Sequence, residues 1–403
     1  MTQKTCVDPA AVRGFSRLVV DATLGVTALV ETMHATVARV PGIIGPSTDT
    51  ATRGITGLVY SSIRGITGLV AGALDTALDQ LAPLLGEPAP SPERGDLLAA
   101  LNGVLGDYLA ATGNPLAIPM HLRWDGRPLD LAAPSLAASI PEPRRNILLL
   151  VHGLCLHDGH WLWQGHDHGE NLAAELGYTP IYLHYNTGLH ISTNGRAFAD
   201  LIEALLLQWP APVEHVAIVG HSMGGLVTRS ACHYGARAGH AWLRHLRNIV
   251  FLATPHHGAP LERLGNWLHG LLGLSPYTAA FTRLAKMRSA GITDLRYGNL
   301  LDEDWAEGDR FAHAGDQRRA VPLPDGVRCY TVAATTGATA CDLRDQLLGD
   351  GLVPLHSALG QHATPHLAMP LPASQQWIGY AMNHLDVLHR REVYEQMRRW
   401  LAA

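Results

Sequence analysis

The chain has 403 residues, 47% hydrophobic and only 16% charged, with a net charge of −5 when its 23 histidines are neutral. That length and apolar content suit one large α/β domain with additions, or two domains, and the slight acidity excludes an electrostatic case for binding nucleic acid. Five cysteines (Cys6, Cys155, Cys232, Cys329, Cys341) show no metal-type spacing, and their odd number argues against a full disulfide framework, although Cys329 could pair with Cys341.

The first residues, Met1 to Pro9, lack a basic start followed by an apolar core, so the reading is a cytoplasmic protein without a signal peptide. Residues 1–115 read as an N-terminal helical region of hairpins, with a proline-rich linker at 87–92. Its apolar segments are broken by charged residues, Pro and Gly, so none is a clean membrane span. Within it, Arg53-Gly54-Ile55-Thr56-Gly57-Leu58-Val59 returns as Arg64-Gly65-Ile66-Thr67-Gly68-Leu69-Val70, eleven residues on. Eleven residues are close to three helical turns, so both copies present one face. Two expectations follow: helices packed on each other or over the catalytic domain, or peripheral contact with a membrane, lipid or polyester granule surface through residues 12–85. The first is favoured, because the Lys/Arg-rich polar face of an interfacial helix is thin here. One more helix is expected from Gly95 to Thr112.

The catalytic domain is placed at 116–403, opening with strands around a hairpin-type Asp125-Gly126 turn. Apolar runs at Ile147–Val151, Pro180–Tyr185, His215–Val219, Asn248–Ala253 and Val327–Ala334 alternate with helical stretches. That alternation predicts an α/β fold: a mostly parallel sheet with helices on both faces. A helical cap insertion is expected at about 258–322, where Trp267, Leu271 and Leu272 would line a hydrophobic substrate site; an ordinary packed helix is the alternative.

The organising motif is Gly220-His221-Ser222-Met223-Gly224, fed by the β-branched run Val216–Val219 and followed at once by an apolar helix pattern. Strand, sharp turn and helix are the context of a nucleophile elbow, with Ser222 held at the bend. A serine nucleophile needs a base, an orienting acid and donors for an oxyanion. His384, on a loop before the last helix, is assigned as base; His362, His366 and His389 are its rivals by position. Asp350, in the glycine-flanked Gly349-Asp350-Gly351 loop, is assigned as the acid, with Asp342 and Asp345 nearby. Backbone N–H groups of Met223 and Leu154 are the expected oxyanion hole, with Cys155 in reserve. A cluster of His157, Asp158, His160, His166, Asp167 and His168 has zinc-compatible chemistry, but a solvated polar loop is the favoured reading, with no metal or cofactor assigned.

His152-Gly153-Leu154, Gly220-His221-Ser222-Met223-Gly224-Gly225, Thr254-Pro255-His256-His257-Gly258, Asp350-Gly351-Leu352-Val353 and Asn383-His384-Leu385-Asp386 occur in that order. Over roughly 145–400 the chain thereby resembles bacterial true lipases of the α/β-hydrolase superfamily and the lipase-like GPI inositol-deacylase group. The resemblance implies the α/β-hydrolase fold and hydrolysis of hydrophobic esters by Ser222, Asp350 and His384. Acyl transfer or thioester cleavage with the same triad, or a lipid-surface binding module with a vestigial site, are the alternatives. In some of those lipases the aspartate two residues after the histidine helps bind calcium. Here Asp386 holds that place, but the further ligand position falls on Arg390, so Asp386 is read as a structural acceptor.

Overall fold

The computed structural model describes residues 10–21, 23–24, 92–260, 288–306, 316–339 and 349–402. The chain forms two compact units, Met1–Ser91 with Ala111–Ala117, and Pro92–Ala110 with Ile118–Ala403. In the first, residues 10–21 are helical. Asn114 donates from Nδ2 to the Gly14 carbonyl (3.1 Å) and accepts the Leu116 N–H (3.0 Å), so a buried amide closes that unit. The eleven-residue repeat at 53–70, residues 87–91 of the linker, and Trp267, Leu271 and Leu272 of the expected cap lie outside the described residues. No helix among the described residues is long and apolar enough to cross a membrane.

The described strands of the second unit are β1 (His121–Trp124), β2 (Arg127–Pro128), β3 (Asn146–Val151), β4 (Leu162–Trp163), β5 (His166–Asp167), β6 (Tyr178–His184), β7 (His215–His221), β8 (Leu246–Leu252), β9 (Arg328–Ala334) and β10 (Gln376–Gly379). Eight of them form one sheet in the order β10-β9-β8-β7-β3-β6-β1-β2. Along that order every pair from β10 to β6 is parallel, while β1 runs antiparallel to both β6 and β2. The β1–β2 turn needs positive φ at both central residues, and Asp125 (48°) and Gly126 (68°) provide it. β3 reads Ile-Leu-Leu-Leu-Val because it is covered on both faces, and all five residues are buried. The small hairpin of β4 with β5 stands apart from this sheet.

Helices cover the faces: α1 (Pro92–Ala111), α2 (Ala133–Ser139), α3 (His168–Leu176), α4 (Ile191–Gln208), α5 (Met223–Ala238), α6 (Ala290–Asp294), α7 (Leu355–Ala358) and α8 (Arg391–Leu401). In α8, Val393, Tyr394, Met397, Trp400 and Leu401 form one buried stripe at helical spacing, and Trp400 stacks on Tyr330 of β9 at 4.7 Å. The observed sheet is the mostly parallel, helix-covered one that the alternation of apolar runs predicts.

One helix changes sides relative to the sequence reading. The expected boundary at 115/116 puts α1 with the N-terminal region, whereas Pro92–Ala110 groups with the second, sheet-bearing unit. The reason is visible at its glycines. A Cβ on Gly103 would collide with Cys155 Sγ, and one on Gly106 would collide with the Asn186 side chain. Asn186 Nδ2 then donates to the Gly106 carbonyl (2.9 Å) and Ser289 Oγ to the Gly103 carbonyl (2.6 Å). Small residues at these two positions let α1 lie directly on the loops that follow β3 and β6. Within the 258–322 segment, every residue of α6 is buried. Cys155, Cys232 and Cys329 are free buried thiols, and Cys341 is not among the described residues.

Candidate active site

β7 runs through the centre of the sheet and ends at His221; α5 begins at Met223, so Ser222 alone makes the turn. Its backbone sits at φ 53°, ψ −124°, a region that costs a residue with a Cβ of the order of 1–3 kcal/mol. Glycine makes that turn possible. A Cβ on Gly220 would stand 2.7 Å from the Gly225 backbone, and one on Gly224 would strike the Val151 carbonyl. The Ser222 N–H is tied to the Leu252 carbonyl of β8 (2.8 Å), which fixes the bend to the sheet.

His384 reaches the serine from the far end of the chain. Its Nε2 lies 2.9 Å from Ser222 Oγ and its Nδ1 lies 2.7 Å from Asp350 Oδ2. A carboxylate only accepts, so the His384 proton is on Nδ1 and Nε2 is left as an acceptor for the serine hydroxyl. The other oxygen of Asp350, Oδ1, accepts the N–H groups of Leu352 (2.9 Å) and Val353 (2.7 Å). All three side chains are buried, and the carboxylate has a donor on each oxygen, so its charge is not left unpaired. The loop carrying Asp350 turns through positive φ at Gly349 (55°) and Gly351 (94°). The His384 N–H donates to the Asp350 carbonyl (3.1 Å), joining the two loops through the main chain as well.

Of the rival residues, His389 stacks on Trp163 at 5.3 Å and His362 lies beside His257 at 4.8 Å. Asp342 and Asp345 lie outside the described residues.

The loop after β3 brings Gly153 against the elbow: a Cβ there would be 2.9 Å from Ser222 Cβ and from His221 Nδ1. Leu154 therefore follows a residue in contact with the serine. Met223 opens α5, where helix N–H groups have no intrahelical acceptor. The Cys155 N–H is already engaged by Thr187 Oγ (3.2 Å). His152 is buried, and burial pushes its imidazole down to about 3. It donates from Nδ1 to the Gly153 carbonyl (3.0 Å) and stacks on Tyr185, whose hydroxyl holds the His152 carbonyl (2.8 Å).

The histidines of the polar cluster expected at 157–168 split into two sets that face different partners, while Asp158 pairs with Arg123 and His184 and Asp167 caps α3. In the first, His157 Nε2 (3.0 Å) and His160 Nε2 (3.3 Å) converge on Oδ1 of Asp96 from α1, and their ligand-type atoms lie within 4.8 Å of one another. The donor chemistry does not fit a metal ion. His157 Nδ1 accepts the Gly159 N–H (3.0 Å) and His160 Nδ1 accepts the His157 N–H (3.2 Å), so each ring presents a proton rather than a lone pair on Nε2, the atom facing Asp96. In the second set, His166, His168 and Asn171 form a hydrogen-bonded run toward Val387. Asp386 accepts the Asn383 N–H (2.9 Å), and Arg390 Nη2 stands 3.7 Å from its carboxylate; a resident cation of the protein itself leaves the calcium position without a usable ligand.

Sequence reasoning gives neither His221 nor His168 a role beside His384, although both donate to the loop that carries it. His221 Nε2 reaches the His384 carbonyl (3.1 Å) and His168 Nε2 the Val387 carbonyl (3.1 Å). The first is visible as the variable residue of the Gly-x-Ser-x-Gly motif, and the second inside the polar cluster. Neither position signals a partner more than 160 residues away.

The family described as the PGAP1-like alpha/beta domain matches residues 187–316, about a third of the chain. No curated protein matches it. Among solved structures, the chain is similar to the mature form of lipase BlEst2 from Bacillus licheniformis, at 16% identity and TM-score 0.44, over 71% of this chain and 98% of that one. It is also similar to the Staphylococcus hyicus lipase (15% identity, TM-score 0.35, 64% of this chain and 96% of that one). A third is the Pyrobaculum calidifontis esterase (13% identity, TM-score 0.35, 65% and 76%). The sheet order and the serine at the bend between β7 and α5 are those of the α/β-hydrolase fold, and the PGAP1-like alpha/beta domain family matches a part of it.

Proposed function

We propose that the protein is a serine ester hydrolase of the lipase or esterase type, acting on hydrophobic carboxylic esters through an acyl-enzyme. The observation that carries the reading is the buried relay Asp350–His384–Ser222, at 2.7 and 2.9 Å, ending on a serine in strained backbone. In this reading Ser222 Oγ attacks the acyl carbonyl while His384 Nε2 takes its proton. Asp350 keeps the proton on Nδ1 and stabilises the imidazolium. The N–H groups of Leu154 and Met223 receive the oxyanion. His384 then protonates the leaving alcohol. Water attacks the acyl-serine with His384 again as base, releasing the acid and restoring Ser222. Trp267, Leu271 and Leu272 are proposed to meet the apolar acyl group. Membrane or granule contact through residues 12–85 remains a proposal of the same reading.

The test is labelling of the intact protein by a fluorophosphonate, with identification of the modified peptide, beside turnover of p-nitrophenyl esters. Label on Ser222, and loss of label and turnover in Ser222→Ala, support the reading. Label on another residue, or full turnover in Ser222→Ala, overturns it.

A further inference from the structure

The segment that carries His384 is pinned at both ends by imidazoles from elsewhere in the chain. At its start, His221 donates Nε2–H to the His384 carbonyl (3.1 Å); three residues on, His168 donates Nε2–H to the Val387 carbonyl (3.1 Å). A carbonyl oxygen can only accept, so both rings hold their proton on Nε2. For His168 this fixes the rest of the run. Its Nδ1 accepts from His166 Nε2 (2.8 Å), and His166 Nδ1 accepts from Asn171 Nδ2 (2.6 Å). The result is a directed chain, Asn171 to His166 to His168 to Val387, in which no ring can be turned over without breaking a bond.

We infer that His221 and His168 are positioning residues for the base, holding segment 384–387 so that His384 Nε2 meets Ser222 Oγ. The inference rests on the proposed role of Ser222 and His384. Three features support it. Both rings are almost fully buried, so their bonds to the main chain are not shared with solvent. Burial pushes His168 down to about 3, and burial together with the neighbouring His384 holds His221 well below the usual imidazole range. Neutral rings donate without adding a second cation beside the imidazolium that His384 becomes. Finally, His221 belongs to the elbow itself, immediately before Ser222, so one residue ties the nucleophile's turn to the base's backbone. The turn inside the segment is closed locally: Asn383 Oδ1 accepts the N–H groups of Leu385 (2.9 Å) and Asp386 (3.1 Å). Those bonds shape the turn; its position against Ser222 is set from outside, by the two imidazoles, the His384 N–H on the Asp350 carbonyl, the Met382 N–H on the Thr335 carbonyl (2.9 Å) and the burial of Val387 and Leu388 in the core.

Loss of either donor should move the reacting nitrogen without touching the substrate. The test measures kcat and KM on p-nitrophenyl butyrate, and the rate of fluorophosphonate labelling, for His221→Leu, His221→Gln, His168→Leu and His168→Gln in the full chain. A glutamine amide nitrogen reaches close to the place of the imidazole Nε2 and restores the donor. Each Leu variant should lose kcat about ten- to a hundred-fold, the scale of a reacting group misplaced by up to about 1 Å, with labelling slowed in parallel. KM should stay within about twofold. Each Gln variant should recover most of the lost kcat while melting close to its Leu counterpart. Wild-type kcat in the Leu variants overturns the inference. So does an equal loss in Leu and Gln variants, which marks a packing role. If a Leu variant does not fold, the Phe variant at the same position, which fills the space of the ring without a donor, takes its place; wild-type kcat there overturns the inference for that residue. Ser222→Ala separates the two levels: if it keeps full turnover, the proposed function fails. If it is inactive while the Leu variants match wild type, only the positioning role fails.

Discussion

Gly103 of α1 lies so close to Cys155 that a side chain of any size would meet the sulfur. Cys155 follows Leu154 and holds an unfavourable positive φ of 59°, so it has little freedom to give way. Gly103→Val should displace the loop after β3 and lower kcat by ten-fold or more, roughly the effect of losing part of one oxyanion donor. A chain starting at Pro92 should keep its activity on a soluble ester, and one starting at Gly113 should lose it. Equal activity of the two truncations would deny α1 any part in the site.

Asp350→Asn should be more damaging than its size suggests. The carbonyl oxygen of the introduced amide can still accept from Leu352 and Val353, which turns its NH2 toward His384 Nδ1. His384 must then move its proton to Nε2, facing Ser222 with a donor where an acceptor is required. A fall in kcat of about 10⁴-fold with a small change in melting temperature is expected, the cost of the wrong tautomer. Steady-state kinetics beside thermal melts would check it.

Acid should weaken the fold before it reaches the carboxylates. His152 and His168 sit at about 3, and His221 and His256 lie well below 6.5, all four buried and chiefly lowered by burial. Above pH 6.5 both folded and unfolded forms of these rings are neutral. Below it the unfolded chain takes up protons that the native rings refuse, so stability falls as pH drops from 6.5 toward 3. Each group contributes up to about 1.4 kcal/mol per pH unit in that window. Melting temperatures that are flat between pH 7 and pH 5 would contradict this.

Chelators should leave turnover and melting unchanged. The tautomers at His157 and His160 and the cation at Arg390 leave neither cluster with a donor set fit for an ion. Activity lost to EDTA and restored by zinc or calcium would show that one of these assignments is wrong.

The sequence carries the sheet well, because buried parallel strands are continuous apolar runs with little else they can be. It carries the elbow too, since the glycines at 220 and 224 have a steric purpose that is readable beside a strand. What escapes it is placement across distance. The helix at 92–111 is legible as a helix, but the reason it groups with the sheet-bearing unit is two notches, Gly103 and Gly106, whose partners Cys155 and Asn186 lie 52 and 80 residues away. His168 likewise reads as one polar residue among several. Only the fold brings it to the Val387 carbonyl, and only that contact decides where its proton sits.

The serine's backbone, at φ 53° and ψ −124°, inverts an ordinary ranking. Almost everywhere in a protein alanine is a safer replacement than glycine. At position 222 alanine keeps the torsional cost, whereas glycine sheds it, so Ser222→Gly should be more stable than Ser222→Ala by about 1–2 kcal/mol. A descendant of this protein that no longer needed its reaction would therefore be expected to drift toward glycine here. Glycine at this bend would be the fossil mark of an abandoned nucleophile.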